Sequence, residues 1–263
     1  MPITKSQVVY AVPSRYPITV AFFGALFIAA KMRVLDVSEP TALVGLKLIP
    51  LGVVFILADK LATQAAESSR FSTGILAGIG LSSLGDLLLE LEGHVSASSA
   101  ITPEVCFLGG LGSFLLAHVA YVWAFGGQAA TQGGISGLAA AVVCYGYALA
   151  FVAFLWKHID DAFLRVAVIA YAMAIASMLY AALYWRGTPK ATAGSVSMAI
   201  GGALMFVVSD SVLGYDRFVA AGPRTKQTEL AVMATYYAAQ YLIALSLNGI
   251  KTDGALPKGK KSK

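Results

Sequence analysis

Eight stretches of this chain are each apolar over about the length that crosses a bilayer. A spanning helix needs about 20 mostly apolar residues, and such runs fall at about 17–32, 41–58, 72–91, 105–126, 135–156, 163–185, 191–214 and 230–250. Hydrocarbon offers no hydrogen bonds to a backbone, so runs of this length are held to helices. The expectation is an all-α fold, a polytopic transmembrane helical bundle of about eight spans. Composition agrees: 58% of the 263 residues are hydrophobic and 13% charged, against roughly 25% charged in a soluble domain. Mean hydropathy is +0.74. A soluble globular enzyme, a disordered chain and a coiled coil are excluded together. The longest connections, around 92–104 and 215–229, leave no room for an extramembrane domain. Residues 1–16 form an N-terminal segment, 17–250 a single transmembrane domain and 251–263 a basic tail. The first run is bounded by Lys31 and Arg33 without a small-residue cleavage site after it, and reads as a retained helix rather than a signal peptide.

The net charge of +5 is a topology signal rather than a nucleic-acid signal, because the basic residues flank apolar runs and no aromatic-and-basic patch accompanies them. Eight spans put both termini on one side. Lys5, Arg15, Lys60, Arg70, Arg186, Lys190 and the tail place eleven Lys and Arg there, against seven on the other side, which predicts cytoplasmic termini. Lys260-Lys261-Ser262-Lys263 looks like a dilysine retrieval signal, and endoplasmic reticulum residence is expected if the source is eukaryotic. An alternative is a basic tail resting on anionic headgroups. Cys106 and Cys144 both lie inside apolar runs and are expected to be small buried residues, with no disulfide or metal spacing.

Ionisable groups inside spans each cost about 2.5–3.5 kcal/mol at the bilayer centre and are functional candidates by default. Lys47, Asp86, His118 and Asp210 stand out. Odd spans run away from the termini and even spans return, so Lys47, Asp86 and Asp210 share a level nearer the far side. His118 is expected deeper, near Gln240, and Glu90 and Glu229 are expected to reach water at span ends. Lys47 with Pro50 reads as a charged residue on a locally broken helix.

Gly78, Ser82, Asp86 and Glu90 make one small-and-polar stripe on the third span. Gly110, Phe114 and His118, followed by Tyr121, line the fourth, and Gly202, Phe206, Asp210 and Gly214 the seventh. One shared polar chamber is the economical explanation. Two carboxylates in a poorly solvated site do not both ionise easily, which supplies an acid and a base for hydrolysis. The same pair suits a proton relay in a small-solute or lipid transporter, or a divalent cation with His118 as third ligand. A purely structural pairing of the aspartates with Lys47 or serine hydroxyls is the plainer alternative. No GxSxG, P-loop, HExxH or dinucleotide fingerprint is present.

Ser82-Ser83-Leu84-Gly85-Asp86, then Phe114 to His118 with Tyr121, then Gly202 to Ser209-Asp210, then Tyr236-Tyr237-Ala238-Ala239-Gln240 occur in that order. The set resembles the YhhN-like lysoplasmalogenase family of eight-span membrane proteins, from about Lys47 to Leu247. The Ser-rich loop 93–104 looks longer than that family's usual connection. The resemblance implies hydrolysis of the vinyl ether bond of lysoplasmalogens to a fatty aldehyde and a glycerophospho-choline or -ethanolamine, without cofactor or metal. It makes Asp86 and Asp210 the catalytic pair, with Lys47, Ser82, His118, Tyr121, Ser209, Tyr237 and Gln240 orienting or binding the lysophospholipid. A single-chain lipid is expected to slide in sideways from the bilayer, its head at the polar level.

Overall fold

The computed structural model describes residues 10–37, 39–64, 70–98, 100–126, 135–185, 192–220 and 225–248. Much of the N-terminal segment, the whole basic tail with its dilysine motif, and Arg186, Lys190 and Arg224 lie outside the described residues. Among the described residues, eight helices follow one another: α1 (Arg15–Lys31), α2 (Pro40–Gln64), α3 (Arg70–Glu92), α4 (Pro103–Phe125), α5 (Ile135–Trp156), α6 (Ala162–Trp185), α7 (Ala193–Phe218) and α8 (Lys226–Leu245). The described residues contain no strand. Six helices, α2 to α7, are long and apolar enough to cross a membrane by length and composition. The protein is an integral, multi-pass helical membrane protein.

Local chemistry sets the helix starts. Thr102, Thr192 and Thr225 each sit in extended backbone and accept a hydrogen bond on the side-chain oxygen from the amide three residues on. This satisfies a donor the helix cannot use, and Pro103 after Thr102 spends none. These caps move boundaries relative to the hydropathy runs. The turn of α8 from Lys226 and the extension of α7 to Phe218 shorten the 215–229 connection. Glu229 lies in the first turn of α8 and is buried, where it was expected to reach water.

The helix expected to break at Pro50 does not. α2 runs unbroken from Pro40 to Gln64, with Pro50 inside. Pro50 has no N–H for the Leu46 carbonyl, and at the next carbonyl the Tyr237 hydroxyl donates to Lys47 O at 3.0 Å. Support from α8 accompanies the defect, as packed neighbours do for proline inside spanning helices.

α3 packs most closely on α4 and α7 on α8, and α8 also reaches α1, α2 and α3. Glycines on the facing surfaces of these helices make these approaches possible. A methyl on Gly78 would collide with the edge of the Tyr121 ring, and one on Gly85 would lie 2.6 Å from Phe114. A methyl on Gly202 would sit 2.7 Å from Ile243 and 2.9 Å from the Ala239 carbonyl. Close backbone approach at small residues is how helices associate in lipid. α5 stands at the edge, packed on α6 and only lightly against α7. Leu138, Val142, Val143, Leu149, Phe163 and Val166 are exposed on this flank, as an apolar face turned to lipid would be.

Candidate active site

Two polar groups form inside the bundle, joined by aromatic rings. In the first, Lys47 of α2 lies 3.3 Å from Asp86 Oδ1 and 3.6 Å from Glu90 Oε2 of α3. Lys31, at the end of α1, reaches Glu90 Oε1 at 2.8 Å, and His94 approaches the same oxygen at 3.5 Å. Lys31 and Lys47 also stand over the Phe27 ring, each 5.9 Å from its centroid. Glu90 was expected to escape to water. It is instead buried, because two lysines converge on it. Asp86 is 3% exposed, and a carboxylate there depends on its cation.

In the second group, Tyr171 of α6 donates to Asp210 Oδ2 of α7 at 2.6 Å. His118 Nε2 of α4 lies 3.3 Å from the same oxygen and 3.2 Å from the Tyr171 hydroxyl. With Tyr171 spending its proton on Asp210, the arrangement suits a His118 that donates from Nε2. Nδ1 then remains without a partner in the protein. His118 is therefore level with Asp210 rather than with Gln240. Tyr121, one turn further along α4, is the residue that donates to Gln240 Oε1, at 2.7 Å.

Phe114, Phe206 and Tyr236 link the two groups. Their ring centroids are 5.5, 5.9 and 6.5 Å apart in steep edge-on contacts. Phe206 meets the His118 ring at 4.7 Å. The Tyr236 hydroxyl faces the Asp86 carboxylate without reaching hydrogen-bond geometry. The two aspartates have different direct partners: Asp86 has Lys47, and Asp210 has His118 and Tyr171. Phe114 packs against Gly85, beside Asp86, and Phe206 against His118.

Among the described residues, five buried polar atoms have no hydrogen-bond partner: Ser82 Oγ, Asp86 Oδ2, His118 Nδ1, Tyr236 Oη and Gln240 Nε2. Buried polar atoms are nearly always partnered, so their gathering around one aromatic cluster marks a region shaped by more than packing. Two expected site residues behave otherwise. Ser209 donates to the Val232 carbonyl at 3.0 Å and ties α7 to α8, while Tyr237 serves the Lys47 backbone. Tyr171 and Tyr236 are the groups that sequence reasoning left out of the site. Tyr236 sits in the same tyrosine pair as Tyr237, and helical phase decides which of them turns toward Asp86. Among the described residues, no three His, Cys, Asp or Glu side chains are placed to share a metal ion.

A cavity of about 400 Å³ lies between α4, α5, α6 and α7. Its walls are mostly aliphatic and aromatic, Cys144 among them, and Asp210 and Tyr171 lie on its surface. Val143, Leu204 and Val208 belong both to this lining and to the exposed apolar flank. The cavity therefore opens sideways, where α5 and α7 barely touch. Asp86 is not on it. The volume and apolar walls are those of a site for a small or single-chain ligand.

Residues 44–247 match the model of the YhhN family. Lysoplasmalogenase TMEM86B of Sus scrofa is 36% identical over 171 residues, covering 62% of this chain and 66% of the relative. Lysoplasmalogenase TMEM86A of Homo sapiens is 30% identical over 250 residues, 90% of this chain and 91% of the relative. Lysoplasmalogenase of Mycobacterium tuberculosis is 31% identical over 164 residues, 62% of this chain and 56% of the relative. The match to the pig protein thus spans just under two thirds of that protein's length. These names are those of hydrolases, and none is that of a carrier. No solved structure matches.

Proposed function

The chain belongs to the YhhN family, and from that premise we propose that it hydrolyses the vinyl ether bond of lysoplasmalogens inside the membrane, with Asp210 as the group that meets the substrate. The observation that carries this reading is Asp210 on the wall of a laterally open apolar cavity, backed by His118 and Tyr171. Relatives named lysoplasmalogenase supply the substrate class.

The chemistry follows from the bond. A proton from the Asp210–His118 pair passes to the β-carbon of the enol ether, whose π electrons form the new C–H bond. The ether oxygen shares a lone pair with the α-carbon, giving an oxocarbenium ion that an ionised Asp210 stabilises. Water adds to the α-carbon and loses a proton to the carboxylate, leaving a hemiacetal. Its bond from the α-carbon to the glycerol oxygen then breaks as that oxygen takes up a proton from the carboxylic acid, and the hemiacetal hydroxyl returns its own proton to the carboxylate as the C=O bond forms. The products are a fatty aldehyde and a glycerophospho-alcohol, and the protein ends as it began. One carboxylate acting first as acid and then as base repeats the logic of glycoside hydrolysis. Asp86 remains the second carboxylate of the proposal, holding Lys47 beside the aromatic cluster rather than meeting the substrate. Endoplasmic reticulum residence belongs to the same proposal and rests on Lys260-Lys261 alone.

Purified protein in detergent tests this directly. Wild type should release aldehyde from a 1-alkenyl lysophospholipid and leave the 1-alkyl analogue, which has no π bond to protonate, untouched. Asp210→Asn should lower the rate by at least ~100-fold, the range expected for loss of a general acid. A folded wild type that releases no aldehyde would remove the proposal.

A further inference from the structure

The cavity carries two charged side chains among its described lining residues, Asp210 and Arg217. Both are on α7, seven residues apart. Seven residues are close to two turns, so the two side chains leave the same face of the helix, about 10 Å apart along its axis. Arg217 lies in the last turn of α7, with its side chain 43% exposed. Asp210 lies deeper, at 12%.

We propose that Arg217 is the phosphate anchor of this site, and that its distance from Asp210 selects lipids whose phosphate lies one glycerol away from the reacting double bond. The inference rests on the hydrolase reading above and adds to it the group that recognises the head of the substrate. From the β-carbon of the vinyl ether to phosphorus the lipid has roughly seven bonds, about 9 Å when extended. That span matches the rise from Asp210 to Arg217. With the double bond at Asp210, the phosphate falls at the guanidinium and the alkyl tail runs the other way. On that side the lining is Val143, Leu179 and Leu204, and the opening to lipid is there.

The guanidinium is already oriented for this task. It stacks on Phe107 of α4, with its central carbon 3.9 Å from the ring centroid, and Phe107 is itself a wall of the cavity. Glu92, at the end of α3, engages Nη2 at 2.8 Å. A guanidinium presents five donors in a planar fork that fits phosphate oxygens two at a time. Glu92 holds the fork at the rim, where a phosphate stays near water while its tail is buried. A helix-capping cation would need neither the aromatic seat nor a place on the cavity wall.

The test compares two substrates and three variants. Wild type should hydrolyse a 1-alkenyl lysophospholipid with a kcat/KM at least ~10-fold above that for a 1-alkenyl glycerol lacking phosphate. Arg217→Gln should raise KM for the phospholipid by a similar factor while kcat and the rate on the phosphate-free lipid hold, so discrimination disappears. Arg217→Lys should restore part of the preference, because the charge remains and the fork does not. Glu92→Gln should lower the preference only in part, because the guanidinium and its seat on Phe107 remain. Equal losses on both lipids in Arg217→Gln and Glu92→Gln, with matching drops in thermal midpoint, would show a merely structural ion pair and overturn the proposal. Binding of the uncleavable 1-alkyl lysophospholipid, read by thermal shift against 1-alkyl glycerol, separates the two ideas. Phosphate-dependent binding lost in Arg217→Gln supports the anchor even if no vinyl ether is cleaved, and equal binding by wild type and Arg217→Gln refutes it even if hydrolysis is robust.

Discussion

Asp86 and Asp210 are the same residue type at similar depth, and their neighbours give them different work. Asp210 touches a histidine, a tyrosine and a cavity. Asp86 touches a lysine that would otherwise have only Glu90. Replacing each by asparagine should therefore fail in different ways. Asp210→Asn should fold normally and be inactive. Asp86→Asn leaves Lys47 short of one buried anion and should destabilise the protein by about 1–3 kcal/mol, below the ~3–5 of a fully orphaned charge because Glu90 remains. Denaturation midpoints in one detergent, measured beside aldehyde release, separate the two. An Asp86→Asn protein as stable as wild type but wholly inactive would move Asp86 into contact with the chemistry. Lys47, Asp86, His118 and Asp210 could be read from the sequence because charge in a span is costly and so conspicuous. Tyr171 could not be read that way, since one hydroxyl in an apolar helix costs little and signals little. Glu90 was misjudged for a related reason: nearness to a helix end suggests water, and only the packing of α1 and α2 shows two lysines waiting there.

At the scale of elements, the small-residue stripes do two things at once. They let α3 and α4 meet closely, and they bring the polar residues of both helices to one seam. Gly78 seats Tyr121, and Tyr121 then reaches Gln240 on α8. Gly78→Val should therefore act across three helices. Overpacking of this kind costs about 1–3 kcal/mol, and it should push Tyr121 off Gln240 as well. The thermal midpoint should fall by several degrees, and Tyr121→Phe in the same background should add little further loss. Strict additivity of the two changes would show that the ring is not displaced. The four-residue spacing predicted which face of α3 is an interface. The stripe read on α4 is the one that meets it: Gly110 and Phe114 lie against Gly85, and Tyr121 against Gly78. The unbroken α2 was less legible: a proline's missing donor is visible in sequence, and the hydroxyl from α8 that lands beside the gap is not.

For the whole molecule, the arrangement of helices offers the proposed lipid substrate a route that does not leave the membrane. α5 leans on α6 and leaves a gap toward α7, and the cavity opens there through residues that also face outward. From Asp210 to Leu204 is six residues of α7, about 9 Å, enough for roughly seven methylenes before the tail leaves the protein. Chain length should then matter only up to that point. KM should fall as the alkenyl chain grows toward about eight carbons, each methylene inside gaining close contact with the cavity wall, and then level off because further carbons remain in a lipid-like medium. Ala148, buried on α5 and lining the cavity, provides the matching variant. Ala148→Phe should block the tail path and cut hydrolysis of long chains while sparing the shortest, with little change in thermal midpoint because the new ring fills existing space. These two results belong together. A steady fall in KM with every added carbon would mean a tail enclosed along its full length, and Ala148→Phe without effect would mean that the lipid arrives by another face.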